Sequence, residues 1–235
     1  MSRIEIFNSE GFRHDGRRFD ELRNFTCTIG DHPNLDGSSS VKLGATKVSC
    51  MVVGPYNGPP RLNFSIDVTP FSTFERQARK NEKRSQESQS SLVTSFTSAC
   101  ATAESPGTID VRIQVLAQDG GLVSACTNAA TLALIDAGIP MKDYICACSA
   151  GIYDTTPFLD LSNAEETDLS FLTIGALGND SDVLMSLLEN KIPADHLPVV
   201  MDMALSGTQL VRQVMDDTVR YYTQQRSAKR KLTGL

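Results

Sequence analysis

The sequence predicts an α+β fold of two βαβ-type lobes, with mixed sheets packed on helices. Three observations carry that reading. Apolar and polar residues alternate over short stretches such as Leu62, Phe64, Ile66 and Val68, the period of a half-buried strand. Such stretches are interleaved with helix-like segments, which a layered architecture requires. No long linker or short-period repeat divides the 235 residues, so lobes at 1–142 and 143–235 are expected to form one compact unit.

Taken in order, residues 13–23 are a polar, arginine-rich opening segment. Stretches 38–43 and 47–53 read as a hairpin around Gly44-Ala45, and 62–68 as a third strand after the Pro59-Pro60 loop. Residues 82–101 carry Leu92, Val93 and Phe96 near helical spacing, and Ser105-Pro106-Gly107 ends that segment. Ile109, Val111, Ile113 and Val115 make a fourth strand, and 122–137 an Ala-rich helix with Gly138 as its C′ cap. The first lobe therefore reads β-β-β-α-β-α. In the second, 144–153 and 158–161 form a hairpin across Asp154-Thr155-Thr156-Pro157, followed by strands at 169–177 and 183–188. Pro193-Ala194-Asp195 opens a long helix with Leu197, Met201, Ala204, Thr208, Val211, Met215, Val219 and Tyr222 along one stripe.

Composition narrows the function classes. Hydrophobic content of 40% with 21% charged residues is that of a soluble globular protein. No run of eighteen apolar residues offers a membrane span, and Met1-Ser2-Arg3-Ile4-Glu5 begins no signal core, so a non-secreted chain is expected. The six cysteines (Cys27, Cys50, Cys100, Cys126, Cys146, Cys148) fall at no zinc spacing and read as reduced, buried thiols. His14, His32 and His196 fit no triad or metal cluster, and no GxGxxG or P-loop occurs, so no cofactor is expected.

A net charge of −6 argues against a whole-protein nucleic-acid clamp, but the charge is uneven. Arg76 to Arg84 packs five cations and one anion into nine residues, and the stretch 226–231 is basic too. Such a patch suits a phosphate backbone, with affinity that falls steeply with salt. It equally suits a solvated loop and a helix end whose cations complement the dipole.

The stretch Gln118-Asp119-Gly120-Gly121-Leu122-Val123-Ser124-Ala125 runs from strand into helix and aims backbone N–H groups at whatever lies above the helix N-terminus. A phosphate-using enzyme needs a cation there. Leu122 and Val123 supply two aliphatic side chains instead.

These residues carry a family resemblance. The run from Arg13-His14-Asp15-Gly16-Arg17-Arg18 to Arg23, then Gly37-Ser38-Ser39, Gly44-Ala45-Thr46-Lys47-Val48 and Gly54-Pro55 resemble the opening of the RNase PH family. The blocks 115–121, 132–141 and 151–161 resemble its central part and later hairpin, in order. Within that family the chain looks most like the eukaryotic RNA exosome ring subunit corresponding to the archaeal catalytic chain, in its fungal form. Active members cleave RNA from its 3′ end with inorganic phosphate. Cations must offset the repulsion of two polyanions, while an acid assists the leaving 3′ oxygen.

Compared position by position with what the resemblance implies, the chain departs from the active pattern. Lys83 and Arg84 stand where active members have paired arginines. The cradle Gly120, Gly121, Leu122, Val123 and Ser124 lacks the expected Ser/Thr-Arg. Glu165 and Glu166 stand where an acidic pair ends in aspartate. Leu172 stands where a second acid is expected, and Asp168 reaches that spot only in a shifted register. Loss of one such group costs about 10²–10³ in rate, so the resemblance implies a catalytically inactive ring subunit.

It also implies a hexameric hetero-ring of RNase PH-like paralogues that threads single-stranded RNA. RNA-binding cap subunits and a separate hydrolytic exoribonuclease complete the expected assembly, in nucleus, nucleolus and cytoplasm. Arg61, Arg76, Arg79, Lys83 and Arg84 are the candidate RNA contacts. Arg13, Arg17, Arg18 and Arg23 are equally open to ring-interface salt bridges or RNA contact. Two other readings stay open: an active phosphorolytic enzyme using Glu166, Asp168 and Arg84, and a scaffold whose basic loop never meets RNA.

Overall fold

The computed structural model describes residues 11–73, 76, 82–100, 107–178 and 182–233; side chains at 82, 84 and 229–233 lie outside that description. The first lobe holds β1 (Phe25–Ile29), β2 (Gly37–Leu43), β3 (Thr46–Tyr56), β4 (Arg61–Val68), α1 (Glu82–Ala99), β5 (Thr108–Ala117) and α2 (Leu122–Asp136). Its five strands form one sheet in the order β1-β2-β3-β5-β4. All neighbours are antiparallel except β4 and β5, which run parallel across the α1 crossover. The sequence reading lacked β1, although Phe25 and Ile29 are buried and Thr26 and Thr28 exposed.

The second lobe holds β6 (Ile145–Tyr153), β7 (Thr156–Leu159), α3 (Asn163–Asp168), β8 (Ser170–Leu177), β9 (Asp182–Glu189) and α4 (Leu197–Thr233). The α+β class is as expected. In this sheet, β7-β6-β8-β9, every hydrogen-bonded pair is antiparallel, while β7 and β8, both antiparallel to β6, run the same way on either side of it with α3 in the connection. The turns from β6 to β7 and from β8 to β9 are too short for the crossover of a dozen or more residues that parallel pairing needs. Helix α4 begins at Leu197 rather than 193, because the His196 N–H closes a turn onto Pro193 O at 3.1 Å. Its buried face, Val200, Ala204, Thr208, Val211 and Met215, follows the expected stripe.

Helix α2 lies between the sheets, and every side chain from Ser124 to Leu134 is buried. An all-round apolar helix needs cover on all sides. Its polar side chains bond to neighbouring backbone. Asn128 exchanges two hydrogen bonds with the Ala147 backbone at 2.9 and 2.8 Å, as a neighbouring strand would. Thr131 Oγ1 donates to Ile145 O at 2.7 Å, and Ser39 Oγ to Ala129 O at 2.7 Å. The C-terminus closes on Gly138 (φ 71), whose N–H reaches Ile135 O while the Ile139 N–H reaches Leu134 O. That is the glycine C′ cap expected from sequence.

Helix α2 and β2 touch at Gly37. A Cβ there would lie 2.3 Å from Ala133 O and 2.7 Å from the Ala137 nitrogen, both backbone atoms. Overpacking costs about 1–3 kcal/mol. Gly37→Ala is therefore expected to lower the midpoint of denaturant unfolding, and an unchanged midpoint would show that helix and strand separate freely.

Candidate functional site

The β5–α2 junction is built as a rigid turn. The Asp119 N–H donates to Thr46 Oγ1 at 2.9 Å, and that hydroxyl donates to Gly120 O at 2.7 Å. Gly120 (φ 77) and Gly121 (φ 61) are both left-handed, and a Cβ on Gly120 would lie 2.4 Å from Leu161 O. Gly121 is the N-cap of α2. Its N–H, one of the donors a helix start leaves without an intrahelical acceptor, donates to Glu166 Oε1 at 2.6 Å. Ser124 Oγ turns back to Gly121 O at 2.8 Å. A carboxylate of the same chain thus sits at the start of α2.

In front of this junction lies a cleft of about 360 Å³ between the lobes. Helix α1 contributes Ser85, Ser88 and Leu92, the α2 start Leu122 and Val123, and β8 Phe171 and Thr173. Two carboxylates, Glu166 and Glu189, border it, and none of the described lining residues is Lys or Arg. Strand parity settles the second acid position. Phe171 and Thr173 face the cleft, while Leu172 is buried on the opposite face with Val200 and Ala204. No side chain at 172 points into this cleft in that register.

Helix α3 divides the three acids between two cavities, with Glu165 and Asp168 at one and Glu166 at the other. Only Glu166 reaches the cleft. Asp168 borders a second cavity with His14, Asp15, Asp119 and Arg23. The structure therefore does not bring Glu166 and Asp168 together. Glu165 is 6% exposed and bound elsewhere: Arg13 Nε donates to its Oε1 at 2.8 Å and Nη2 to its Oε2 at 2.5 Å. It also accepts from the Ser162 N–H at 2.8 Å and Oγ at 3.0 Å, an N-terminal cap for α3. That Ser-x-x-Glu spacing was the signal by which α3 could have been found.

Three of the four opening arginines, Arg13, Arg17 and Arg23, are engaged within the chain. Arg13 is fully buried, donates to Leu159 O and Asp160 O, and lies 5.4 Å from the Phe158 ring centroid. Arg23 clasps the fully buried Asp160 carboxylate, Nη2 to Oδ1 at 2.7 Å and Nε to Oδ2 at 2.9 Å. Arg17 pairs with Asp15 at 2.6 Å and reaches Asp160 at 3.7 Å. Arg18 alone of the four is exposed.

Among the candidate RNA contacts, Arg61 is exposed at the start of β4, Arg76 is exposed, and Lys83 is exposed in the first turn of α1. Arg84 follows Lys83 on that turn, and Arg79 lies outside the described residues. A cation at a helix N-terminus adds to the positive end of the dipole instead of offsetting it. Lys83 in the first turn of α1 is therefore carried at some expense to the helix. The cysteines are all free and, Cys27 apart, buried. Burial pushes the Cys100 thiol up to about 11 and Cys126 and Cys146 to about 12, values of unreactive thiols.

The site thus sets a glycine-led helix start against an acid-bearing helix across an interlobe cleft, in a two-lobed α+β protein. The chain belongs to the 3′ exoribonuclease family of RNase PH: domain 1 matches residues 21–140 and domain 2 residues 143–207. It is 44% identical to the exosome complex component SKI6 of Saccharomyces cerevisiae, over 96% of this chain and 97% of that protein. It is 35% identical to the human exosome complex component RRP41, over 97% and 98% respectively. The fold matches rice (Oryza sativa) Rrp46 with a TM-score of 0.79 at 24% identity, covering 88% of this chain and 100% of that one. It matches a chain of the Archaeoglobus fulgidus exosome with RNA bound to its active site at 0.73 and 21%, covering 87% and 92%.

Two outcomes follow for the Arg13–Glu165 pair. Removing one member of a buried pair costs about 3–5 kcal/mol, whereas an apolar replacement of both is close to neutral. Arg13→Met should therefore be strongly destabilised, and Arg13→Met with Glu165→Leu should recover much of the loss. Burial alone would raise the Glu165 pKa, but the hydrogen bonds and charge of Arg13, with Ser162, hold it below the ordinary 4.5. Its contribution is complete above pH 4.5 and is lost as pH falls through the lower folded value. Thermal melts across that acid range should show a shallower decline for Glu165→Gln than for the wild type.

Proposed function

We propose that this chain is a non-catalytic, RNA-binding ring subunit of an RNA exosome. In this reading it pairs with RNase PH-like paralogues and guides single-stranded RNA 3′ ends toward a separate nuclease. Its lobes, 1–142 and 143–235, act as one unit within the ring. The observation that carries the reading is Glu166 Oε1 on the Gly121 N–H at 2.6 Å. Where a phosphorolytic site would hold phosphate, an internal anion sits, beside the aliphatic Leu122 and Val123. An incoming phosphate meets repulsion instead of a counter-charge, and electrostatic stabilisation is the largest single contribution to such catalysis.

Partners follow from the same reading. The relatives are components of exosome complexes, so related ring chains and RNA are the first partners in this reading. Cap subunits above the ring and a hydrolytic exoribonuclease below complete the proposed assembly, working in nucleus, nucleolus and cytoplasm. Exposed Arg61, Arg76 and Lys83, with Arg79 and Arg84 in the same basic run, supply phosphate contacts without base readout. The active-enzyme alternative draws on one observation, that Glu166 still borders the cleft.

The deciding assay uses the purified chain, alone and with its ring partners, on single-stranded RNA with inorganic phosphate and magnesium. No nucleoside diphosphate release is expected, together with salt-sensitive RNA binding by the assembled ring. Phosphate-dependent release that Glu166→Gln or Arg84→Ala abolishes would sink the non-catalytic reading. Lys83→Glu with Arg84→Glu should abolish RNA threading while the ring still assembles, and unchanged RNA handling would leave only a scaffold.

A further inference from the structure

We propose that Phe71 is a stacking platform for one unpaired nucleobase at the rim of the cleft, an inference that rests on the RNA-guiding reading above. Phe71 is 70% exposed, more than any other large hydrophobic side chain among the described residues. It does not sit on a loose loop. Thr69-Pro70-Phe71-Ser72 is a β-turn closed by the Ser72 N–H on Thr69 O at 3.0 Å, with Pro70 setting the backbone before Phe71. Both ends are tied to β5 and the residue after it. Thr69 donates twice to Val115 O, from N–H at 3.2 Å and Oγ1 at 2.8 Å, and the Gln118 N–H donates to Ser72 O at 2.8 Å. Ser72 turns inward, 6% exposed, so the turn holds its neighbour Phe71 out.

The surroundings select the occupant. Thr73 and Gln118, which flank the turn, both line the cleft, so Phe71 stands at its edge. No other large exposed hydrophobic belongs to this turn; Asp67, Pro70 and Arg76 are the exposed residues near it in sequence. A protein-docking site presents a contiguous apolar patch of several hundred Å². A rigidly held, exposed ring, with Arg76 five residues on and Lys83 at the start of α1, suits a base on the ring and phosphates on the cations. Such stacking tolerates any base.

The test measures RNA binding by the reconstituted ring carrying wild-type, Phe71→Ala or Phe71→Trp chain, using single-stranded RNA and an abasic oligonucleotide of equal length. Phe71→Ala should weaken RNA binding about 5- to 150-fold, with Phe71→Trp near wild type. Abasic binding and the salt dependence should not change, since no phosphate contact is lost. Wild-type RNA binding that Lys83→Glu with Arg84→Glu weakens but Phe71→Ala leaves intact would overturn the stacking role alone. Failure of the Phe71→Ala ring to assemble would show that the ring meets a protein and would overturn it too. Absence of RNA binding by the wild-type ring would remove the RNA-guiding reading itself.

Discussion

Helix α2 is buried along its length between two sheets, so its unsatisfied ends must be answered by protein, not water. At the C-terminus the answer is local, the Gly138 turn. At the N-terminus it comes from another lobe, as the Glu166 carboxylate on Gly121. That second contact joins the stability of the fold to the chemistry of the cleft. The positive end of the α2 dipole is the obvious place for a substrate anion, and here it helps hold α3 in position. A single carboxylate therefore bears on both the architecture and the inactivity proposed for the site.

Around that contact the charges sort by depth. Arg13, Arg17 and Arg23 are spent inside, on Glu165 and Asp160, where they satisfy buried carboxylates and carbonyls. Arg61, Arg76 and Lys83 stay exposed. Removing an inner arginine strands a buried charge, while removing an outer one changes little but the surface potential. The distinction separates residues that make the fold from those free to meet a polyanion.

Strands β4 and β5 were legible because one face of each is partly solvated, so period-two alternation survives in the sequence, whereas β6 and β8 are buried on both faces and carry no such alternation. The α4 stripe and the Gly138 cap were legible for similarly local reasons. Helix α3 was not, since six residues give too little periodicity and only its Ser162–Glu165 cap marks it. In the second sheet the β6–β7 hairpin was legible from its turn, whereas the pairing of β8 with β6 rests on packing that no local signal marks. The site divides the same way. The Gly120-Gly121 turn and the missing cation at Val123 could be read directly. That Glu165 serves Arg13, 152 positions away, while its neighbour Glu166 serves Gly121, could not. Adjacent helical residues point about 100° apart, and only the packed structure says which faces what.

The lobes are also laced by their far ends. Asp136, which closes α2, accepts from Tyr222 Oη at 3.0 Å and lies 3.5 Å from Arg226, while Cys27 on β1 meets Thr218 at 3.2 Å. Conversely, residues 13–23 complete the hydrogen bonding around Asp160 in the second lobe. During synthesis the first lobe must therefore wait for residues 86 and 191 positions downstream of the groups they complete. A nascent chain cut off after the first lobe would expose β1 and leave Asp136 without these α4 partners. Each half thus supplies polar partners that complete the other.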